Sequence, residues 1–324
     1  MISPLAEAQD AAQVLLGGTV DAVEACRGGG NNRVYRVRAN GASYALKAYP
    51  RSPGDPRDRL HHEYDGLRFL GAHGVAGVPR ALAADRARGV ALYEWIDGVH
   101  VSAHDVRDVT QALALLARLD ALRSEPEAAE LPAAAEAVLH PAELDAQVER
   151  RFARLDATRG EPELHALLAA LRAAWRELQV ADEAPVTRRT LSPSDFGFHN
   201  ALRRAGGELV FLDFEYFGWD DPVKLACDVL WHPGMSLSPA ERSAFRAGVA
   251  PIYGDDAGWE RRLTRDLPRY GLRWALIVLN EFLPAAWERR VAAGRPDSWA
   301  SAKQSQLAKA RALLEEVRVI SDIS

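Results

Sequence analysis

The apolar and polar positions near the front of the chain mark a helix followed by short strands. Residues 3–16 carry a helical period, with Ser3 as the expected N-cap, Pro4 in the first turn and Gly17-Gly18 as the stop. Three strand-like stretches follow: Val20 to Cys26, Arg33 to Arg38 and Ser43 to Tyr49. Arg27-Gly28-Gly29-Gly30-Asn31-Asn32 separates the first two, and Asn40-Gly41 marks a tight turn before the third. The pattern predicts an antiparallel meander with glycine at its first bend. A loop rich in Pro, Gly and charge then leads to a helix expected from about Pro56 to Leu70. Two more strands are expected at Val78 to Ala83 and Gly89 to Trp95.

After Gly98 the pattern changes. Residues 105–122, 133–156 and 160–179 are rich in Ala, Leu, Arg and Glu and helical in period, with Pro126 and Pro132 separating the first two. Thr187 to Leu191 reads as a strand or turn. A hairpin is predicted next: a strand at Ala201 to Arg204, a Gly206-Gly207 turn, and a strand at Glu208 to Leu212. Beyond Pro222 the expectation is helical throughout: Val223 to Trp231, Pro239 to Ile252, Trp259 to Arg290 with interruptions at Pro268 and Pro284, and Ser298 to Arg318. The expected division is a sheet-bearing part, residues 1–97, and a helical part, residues 98–324. The fold class is α+β.

Composition adds few constraints. Of 324 residues, 48% are hydrophobic and 26% charged, as in ordinary globular proteins. The net charge of −5 gives no general attraction to nucleic acid or to an anionic membrane. Cys26 and Cys227 are far apart and lack metal-ligand spacing. The first residues lack the basic start of a secretion signal, and no apolar run is long enough to span a bilayer. A cytoplasmic protein is expected, and the oligomeric state is not legible.

The hairpin carries the candidate chemistry. Asp195 lies five residues before Asn200, and the second strand delivers Asp213. Folding the hairpin should set these three side by side. A carboxylate that accepts the proton of an attacking hydroxyl, with an amide oxygen and a second carboxylate to hold Mg²⁺, is what phosphoryl transfer requires. Upstream, Gly28, Gly29 and Gly30 would let backbone N–H groups approach a polyphosphate without Cβ interference. Lys47 alternates with apolar neighbours on the third strand, and Glu63 on the following helix could hold it toward the phosphates. An apolar strand leading into Glu94-Trp95-Ile96-Asp97-Gly98 suits a hinge, where backbone groups around Glu94 and Ile96 could bond a base. Each piece also has a plainer reading: a flexible hairpin loop, an edge-strand lysine, a solvated helix face, an Asx turn. Their joint order favours the catalytic one.

The chain resembles the aminoglycoside phosphotransferase and choline kinase group, small-molecule kinases of protein-kinase-like fold. The resemblance rests on Gly28 to Asn32 with Arg33-Val34-Tyr35-Arg36-Val37, Lys47, Glu63, Tyr93 to Gly98, Asp195 to Asn200, Leu212-Asp213-Phe214-Glu215 and Asp220-Asp221-Pro222. It implies a small sheet-rich N-lobe, a larger helical C-lobe, and ATP or GTP with Mg²⁺. It also implies that Gly28, Gly29, Gly30, Asn31, Asn32 and Lys47 contact the nucleotide, that Asp195 is the base, and that Asn200 and Asp213 are metal ligands. Two departures stand out. The group places His-Gly before the catalytic Asp, where this chain has Pro193-Ser194, and a glycine before the Asn, where this chain has His199.

The expected activity is therefore ATP-dependent phosphorylation of a hydroxyl on a small molecule, a sugar or amino sugar among the candidates. Two alternatives remain open at this level: a nucleotide-binding regulatory module without transfer activity, and a kinase acting on a peptide or protein.

Overall fold

The structure is a computed structural model that describes residues 3–26, 32–49, 57–180, 185–292 and 298–323. The Ser3 side chain accepts the Ala6 N–H at 3.2 Å and caps helix α1 (Pro4–Leu16). Strands β1 (Ala22–Ala25), β2 (Arg33–Ala39) and β3 (Ala42–Ala48) follow. A π-helical turn over His61–Asp65 runs into α2 (Gly66–Ala72). Then come β4 (Ala81–Asp85), β5 (Val90–Glu94), β6 (Val99–His100), α3 (Val106–Ala121), α4 (Pro141–Asp156) and α5 (Pro162–Glu177). The catalytic-segment candidates lie among β7 (Thr190–Ser192), β8 (Ala201–Arg203), β9 (Leu209–Phe211) and β10 (Gly218–Asp220). Helices α6 (Pro222–Trp231), α7 (Pro239–Tyr253), α8 (Trp259–Val278), α9 (Pro284–Ala292) and α10 (Trp299–Ile323) complete the chain.

Backbone contacts gather the chain into two compact units. One comprises Met1–Ala135 and Leu191–Trp219, the other Glu136–Thr190 and Asp220–Ser324. These boundaries differ from a division after residue 97. Hydrogen bonds explain why the hairpin groups with the front of the chain. Strand β8 pairs with β6, Val99 opposite Arg203, and Phe211 N donates to Gly77 O at 2.8 Å. Gln111 of α3 grips the turn from both sides, accepting from Leu209 N at 2.8 Å and donating to Gly207 O at 3.3 Å.

In the first unit the five-stranded sheet has the order β1-β2-β3-β5-β4, and every neighbouring pair is antiparallel. Asn40 and Gly41, at φ 53° and 74°, form the two-residue turn between β2 and β3, and both central residues of such a turn need positive φ. Strand pleating then sorts the side chains. Tyr35, Val37, Leu46, Val90 and Leu92 pack against Ala8, Ala11 and Ala12 of α1. By register, Lys47, Ala91 and Tyr93 lie on the opposite face. The helix that covers one face of the sheet thereby leaves Lys47 on the other.

The second unit is built around α6, all ten of whose residues are buried. Gly271 of α8 permits close approach: a Cβ there would lie 2.5 Å from Val317 and 2.7 Å from Trp231. The Trp231 indole N–H donates to Leu267 O at 2.7 Å. Lys224, on α6, is fully enclosed between Asp220 at 2.7 Å and Asp228 at 2.9 Å. Asp228 also accepts from Arg273 at 3.0 Å and from the Trp274 indole at 2.8 Å, so its carboxylate braces helices of this unit.

Two sequence expectations need revision. The helix expected from residue 133 starts at Pro141, because Ala134 N and Ala135 N are taken by Trp219 O at 2.9 Å and Tyr216 O at 3.1 Å. Tertiary hydrogen bonds there outweigh the helix propensity of the alanines. His140 caps α4 instead, with Glu143 donating nothing but accepting the His140 N–H at 3.0 Å. Pro268 does not interrupt α8; the break falls at a 3₁₀ turn over Leu279–Phe282, just before Pro284. Trp274 and Trp287 are half-buried.

Candidate active site

The segment from Ser192 to Phe217 alternates buried aromatic anchors with polar groups. Phe196, Phe198, Phe211, Phe214 and Phe217 are each at most 4% exposed. Burial of each ring is worth about 1.5–3 kcal/mol, enough to hold a short loop against its conformational entropy. The Asp195 and Asp213 side chains between them remain 35% and 37% exposed. The rings thus fix the backbone, and the carboxylates face away from the core.

The hairpin sets the polar residues close together. Leu212 N donates to Asn200 O at 2.7 Å, which extends the β8–β9 ladder to the residue just before Asp213. Asn200 Nδ2 donates to Asp195 O at 3.0 Å, so one amide side chain ties both ends of the loop. Asp213 adopts φ 65°, a left-handed conformation that costs a non-glycine residue about 1–2 kcal/mol. His199 Nε2 lies 3.1 Å from Asp195 Oδ1.

The loop before Asp195 is held by serines. Ser194 also adopts a left-handed conformation, φ 66°, at the position where the resembled group has glycine. Its N–H donates to Ser192 Oγ at 3.0 Å, and its hydroxyl donates to Ala135 O at 3.2 Å. These bonds offset the backbone strain.

From the sheet face, Lys47 reaches the same place. Its Nζ lies 2.6 Å from Glu63 Oε2 and 2.5 Å from Asp213 Oδ1. Burial works to strip its proton, but Asp213, Glu63 and Glu215 overcome that and hold its pKa above the ordinary lysine value. Burial pushes Glu63 up to about 7, against the pull of Lys47. Glu63 also accepts from Tyr49 OH at 2.8 Å, and Tyr49 OH lies 2.6 Å from Tyr93 OH. The π-helical turn gives Glu63 its place at the end of this chain of hydroxyls; such turns recur at functional sites.

Glu215 anchors a second group. It is 1% exposed, accepts from the Asn32 side-chain amide, and has Arg59 Nε at 3.8 Å. Asn32 is itself buried, and its Oδ1 has no hydrogen-bond partner among the described residues. Gly28, Gly29, Gly30 and Asn31 lie outside the described residues. Glu94 and Ile96 stand at the end of β5. Glu94 N donates to Arg80 O at 2.9 Å, which removes that donor from any contact with a base, and its carboxylate pairs with Arg80 and Arg204. Ile96 is buried.

The structure therefore brings together Lys47, Glu63, Asp195, Asn200 and Asp213, and places Asn32 on Glu215. Sequence reasoning missed Tyr49, Tyr93 and Arg59 as supports. Strand parity with Lys47, two residues away, could have flagged Tyr49. In the second unit, Arg273 and Glu281 are buried and paired, Arg273 with Gln147 and Asp228, Glu281 with Arg290.

The donors fit a hard divalent cation. Asn200 commits its amide nitrogen to Asp195 O, which leaves oxygen as the atom it can offer, and Asp213 supplies an exposed carboxylate. An ammonium, a carboxylate–amide pair and a further carboxylate on a loop are the parts of a phosphoryl-transfer site on an α+β, protein-kinase-like fold. The chain belongs to the phosphotransferase enzyme family, whose pattern matches residues 22–264. No curated protein matches the sequence significantly. Among solved structures, it is similar to a spectinomycin phosphotransferase in complex with ADP and spectinomycin, at 13% identity, covering 95% of this chain and 97% of that one, with a TM-score of 0.66. It is also similar to a choline kinase from Streptococcus pneumoniae, at 14% identity, 92% and 94% coverage and a TM-score of 0.59. A choline kinase from Cryptosporidium parvum gives 12% identity, 92% and 91% coverage and a TM-score of 0.59. No helix among the described residues is long and apolar enough to cross a membrane.

Proposed function

We propose that the protein binds ATP with Mg²⁺ and transfers the terminal phosphoryl group to a hydroxyl of a small molecule. The observation that carries this reading is the Lys47–Asp213 contact, which joins the sheet to the hairpin that also holds Asp195 and Asn200. Asp195 accepts the proton of the attacking hydroxyl and orients its oxygen. Asn200 and Asp213 are the residues that would hold Mg²⁺, which when bound neutralises charge on the phosphates. Lys47, kept charged, stabilises negative charge on the transferred group, and Glu63 keeps it in place. Asn32, at the end of the glycine-rich segment, is held by Glu215 just beyond Asp213.

Sugars, amino sugars and amino alcohols are the acceptor classes to test first, since the similar structures include spectinomycin and choline kinases. The experiment is an ADP-release screen with Mg²⁺ and ATP against those classes, run beside aminoglycosides and a peptide panel. Release that depends on one small hydroxyl compound supports the reading. Nucleotide binding with no release above that of a buffer control would favour a binding module.

A further inference from the structure

We propose that Tyr49 is a positioning residue for Lys47, acting through Glu63, and that its hydroxyl helps set how tightly Mg-ATP is held. The inference rests on Lys47 meeting the phosphates in the proposed reaction.

The hydroxyl comes from the strand that carries Lys47. Strand β3 ends at Ala48, and Tyr49 extends its pairing with β5 by one step, its N–H donating to Gly89 O at 2.9 Å. Tyr49 lies two residues from Lys47 and so shares its face of the sheet. On β5, Ala91 stands opposite Lys47 and Tyr93 opposite Ala45. The two tyrosines therefore approach from either side of Ala91, which adds only a methyl group between them, and their hydroxyls meet at 2.6 Å. Both tyrosines are buried, as is Glu63.

The hydrogens run in one direction. An ionised carboxylate only accepts, so Tyr49 gives its single hydroxyl hydrogen to Glu63 Oε2 at 2.8 Å. Tyr93 must then donate to Tyr49. Glu63 Oε2 also accepts from Lys47 Nζ at 2.6 Å, so residues 47 and 49 of one stretch of chain hold the same oxygen. Lys47 is shared, because Asp213 Oδ1 lies 2.5 Å from the ammonium too. Of the two acids, Asp213 is the more exposed, 37% against 5%, and it stands on a loop. A Glu63 carboxylate held by Lys47 alone could swing about its three torsions and move with the ammonium toward that loop. The Tyr49 bond ties the carboxylate to the sheet and removes that freedom. Hydrogen bonds to a charged group are about twice as strong as neutral ones, and burial strengthens them.

The test measures the Kd of Mg-ATP by calorimetry in the full chain, so it needs no acceptor. Tyr49→Phe keeps the ring and loses the hydroxyl, and it should raise Kd about 5- to 20-fold. Tyr93→Phe leaves the Tyr49–Glu63 bond in place and should raise Kd less than about threefold. In a Glu63→Ala background Tyr49 has no carboxylate to hold, and Tyr49→Phe should add less than about twofold. A tyrosine that served only to stabilise the sheet would add the same factor in both backgrounds, and that result would overturn the proposal. So would a wild-type Kd in Tyr49→Phe. Crystals of Tyr49→Phe should show Glu63 in more than one rotamer with Lys47 still on Asp213. An unmoved Lys47–Glu63 pair would overturn the proposal even where the Glu63→Ala chain fails to fold. Lys47→Met separates this inference from the reading beneath it. If Lys47→Met binds Mg-ATP weakly and Tyr49→Phe binds normally, the kinase reading stands and only the role of Tyr49 falls. If Lys47→Met binds as the wild type does, the contact of Lys47 with the phosphates falls first.

Discussion

The Lys47 ammonium lies 2.5 Å from Asp213 Oδ1, although 166 residues separate them in sequence. The same ammonium is 2.6 Å from Glu63. One buried cation therefore joins a central strand, a π-helical turn and the loop after the hairpin. Its removal has consequences for stability as well as for chemistry.

Lys47→Met should abolish phosphoryl transfer and leave Glu63 buried without its cation. Breaking a buried pair from one side costs about 3–5 kcal/mol, less here because Glu63 can take up a proton. Lys47→Met/Glu63→Gln should recover part of the lost stability, since the glutamine carries no charge to strand. Thermal denaturation of the single and double variants checks this. A double variant less stable than the single would contradict it.

Ser194 offers a cleaner test of backbone strain. At φ 66°, alanine keeps the strain and loses the hydroxyl bond to Ala135 O, whereas glycine loses the bond and also relieves the strain. Ser194→Ala should therefore be less stable than Ser194→Gly by about 1 kcal/mol. Urea denaturation of the pair measures the difference, and equal stabilities would show that the left-handed conformation is not imposed.

Gly271→Ala should destabilise the helical unit by overpacking. The added Cβ would meet Trp231 at 2.7 Å and Val317 at 2.5 Å, and Trp231 is anchored by its bond to Leu267 O. A loss of about 1–3 kcal/mol is expected from denaturant unfolding.

Asp221 gives a pH dependence with a definite sign. It caps α6 through Val223 N at 3.0 Å and pairs with Arg262 at 2.8 Å. Burial pushes its pKa up to about 6, against the pull of Arg262. A carboxyl whose pKa is raised on folding contributes stability that is fully present below its unfolded value, near 3.8, and lost as the pH rises through about 6. The stability of the wild type relative to Asp221→Asn should therefore fall between pH 4 and pH 7, by at most about 3 kcal/mol. A relative stability that rises over that range would reverse the sign.

Much of the site was legible because its signals are local. Ser3, Asn40-Gly41 and the Gly206-Gly207 turn each dictate backbone geometry within a few residues, and the strand and helix near them follow. Lys47 was legible by strand parity, and Asp195, Asn200 and Asp213 by the hairpin that returns the chain on itself. What escaped depends on distant partners. Ala134 and Ala135 look helical until Trp219 and Tyr216 take up their N–H groups. The first unit extends past residue 97 because Gly77, Gln111 and Val99 all bind the hairpin, and no sequence period records those contacts. Tyr49 and Tyr93 read as apolar strand residues; only the structure puts their hydroxyls in line with Glu63. Asn32 reads as part of a phosphate-binding loop, and its pairing with Glu215 spans 183 residues.

The measurement that bears most directly on the account is Mg-dependent ATP turnover and binding in Asp195→Asn and Asp213→Asn, each against the wild type. Asp195→Asn should bind Mg-ATP with near wild-type affinity and release no ADP above background. Asp213→Asn should lose the Mg-dependent part of nucleotide binding. Undiminished ADP release in both variants would show that neither carboxylate takes part in phosphoryl transfer.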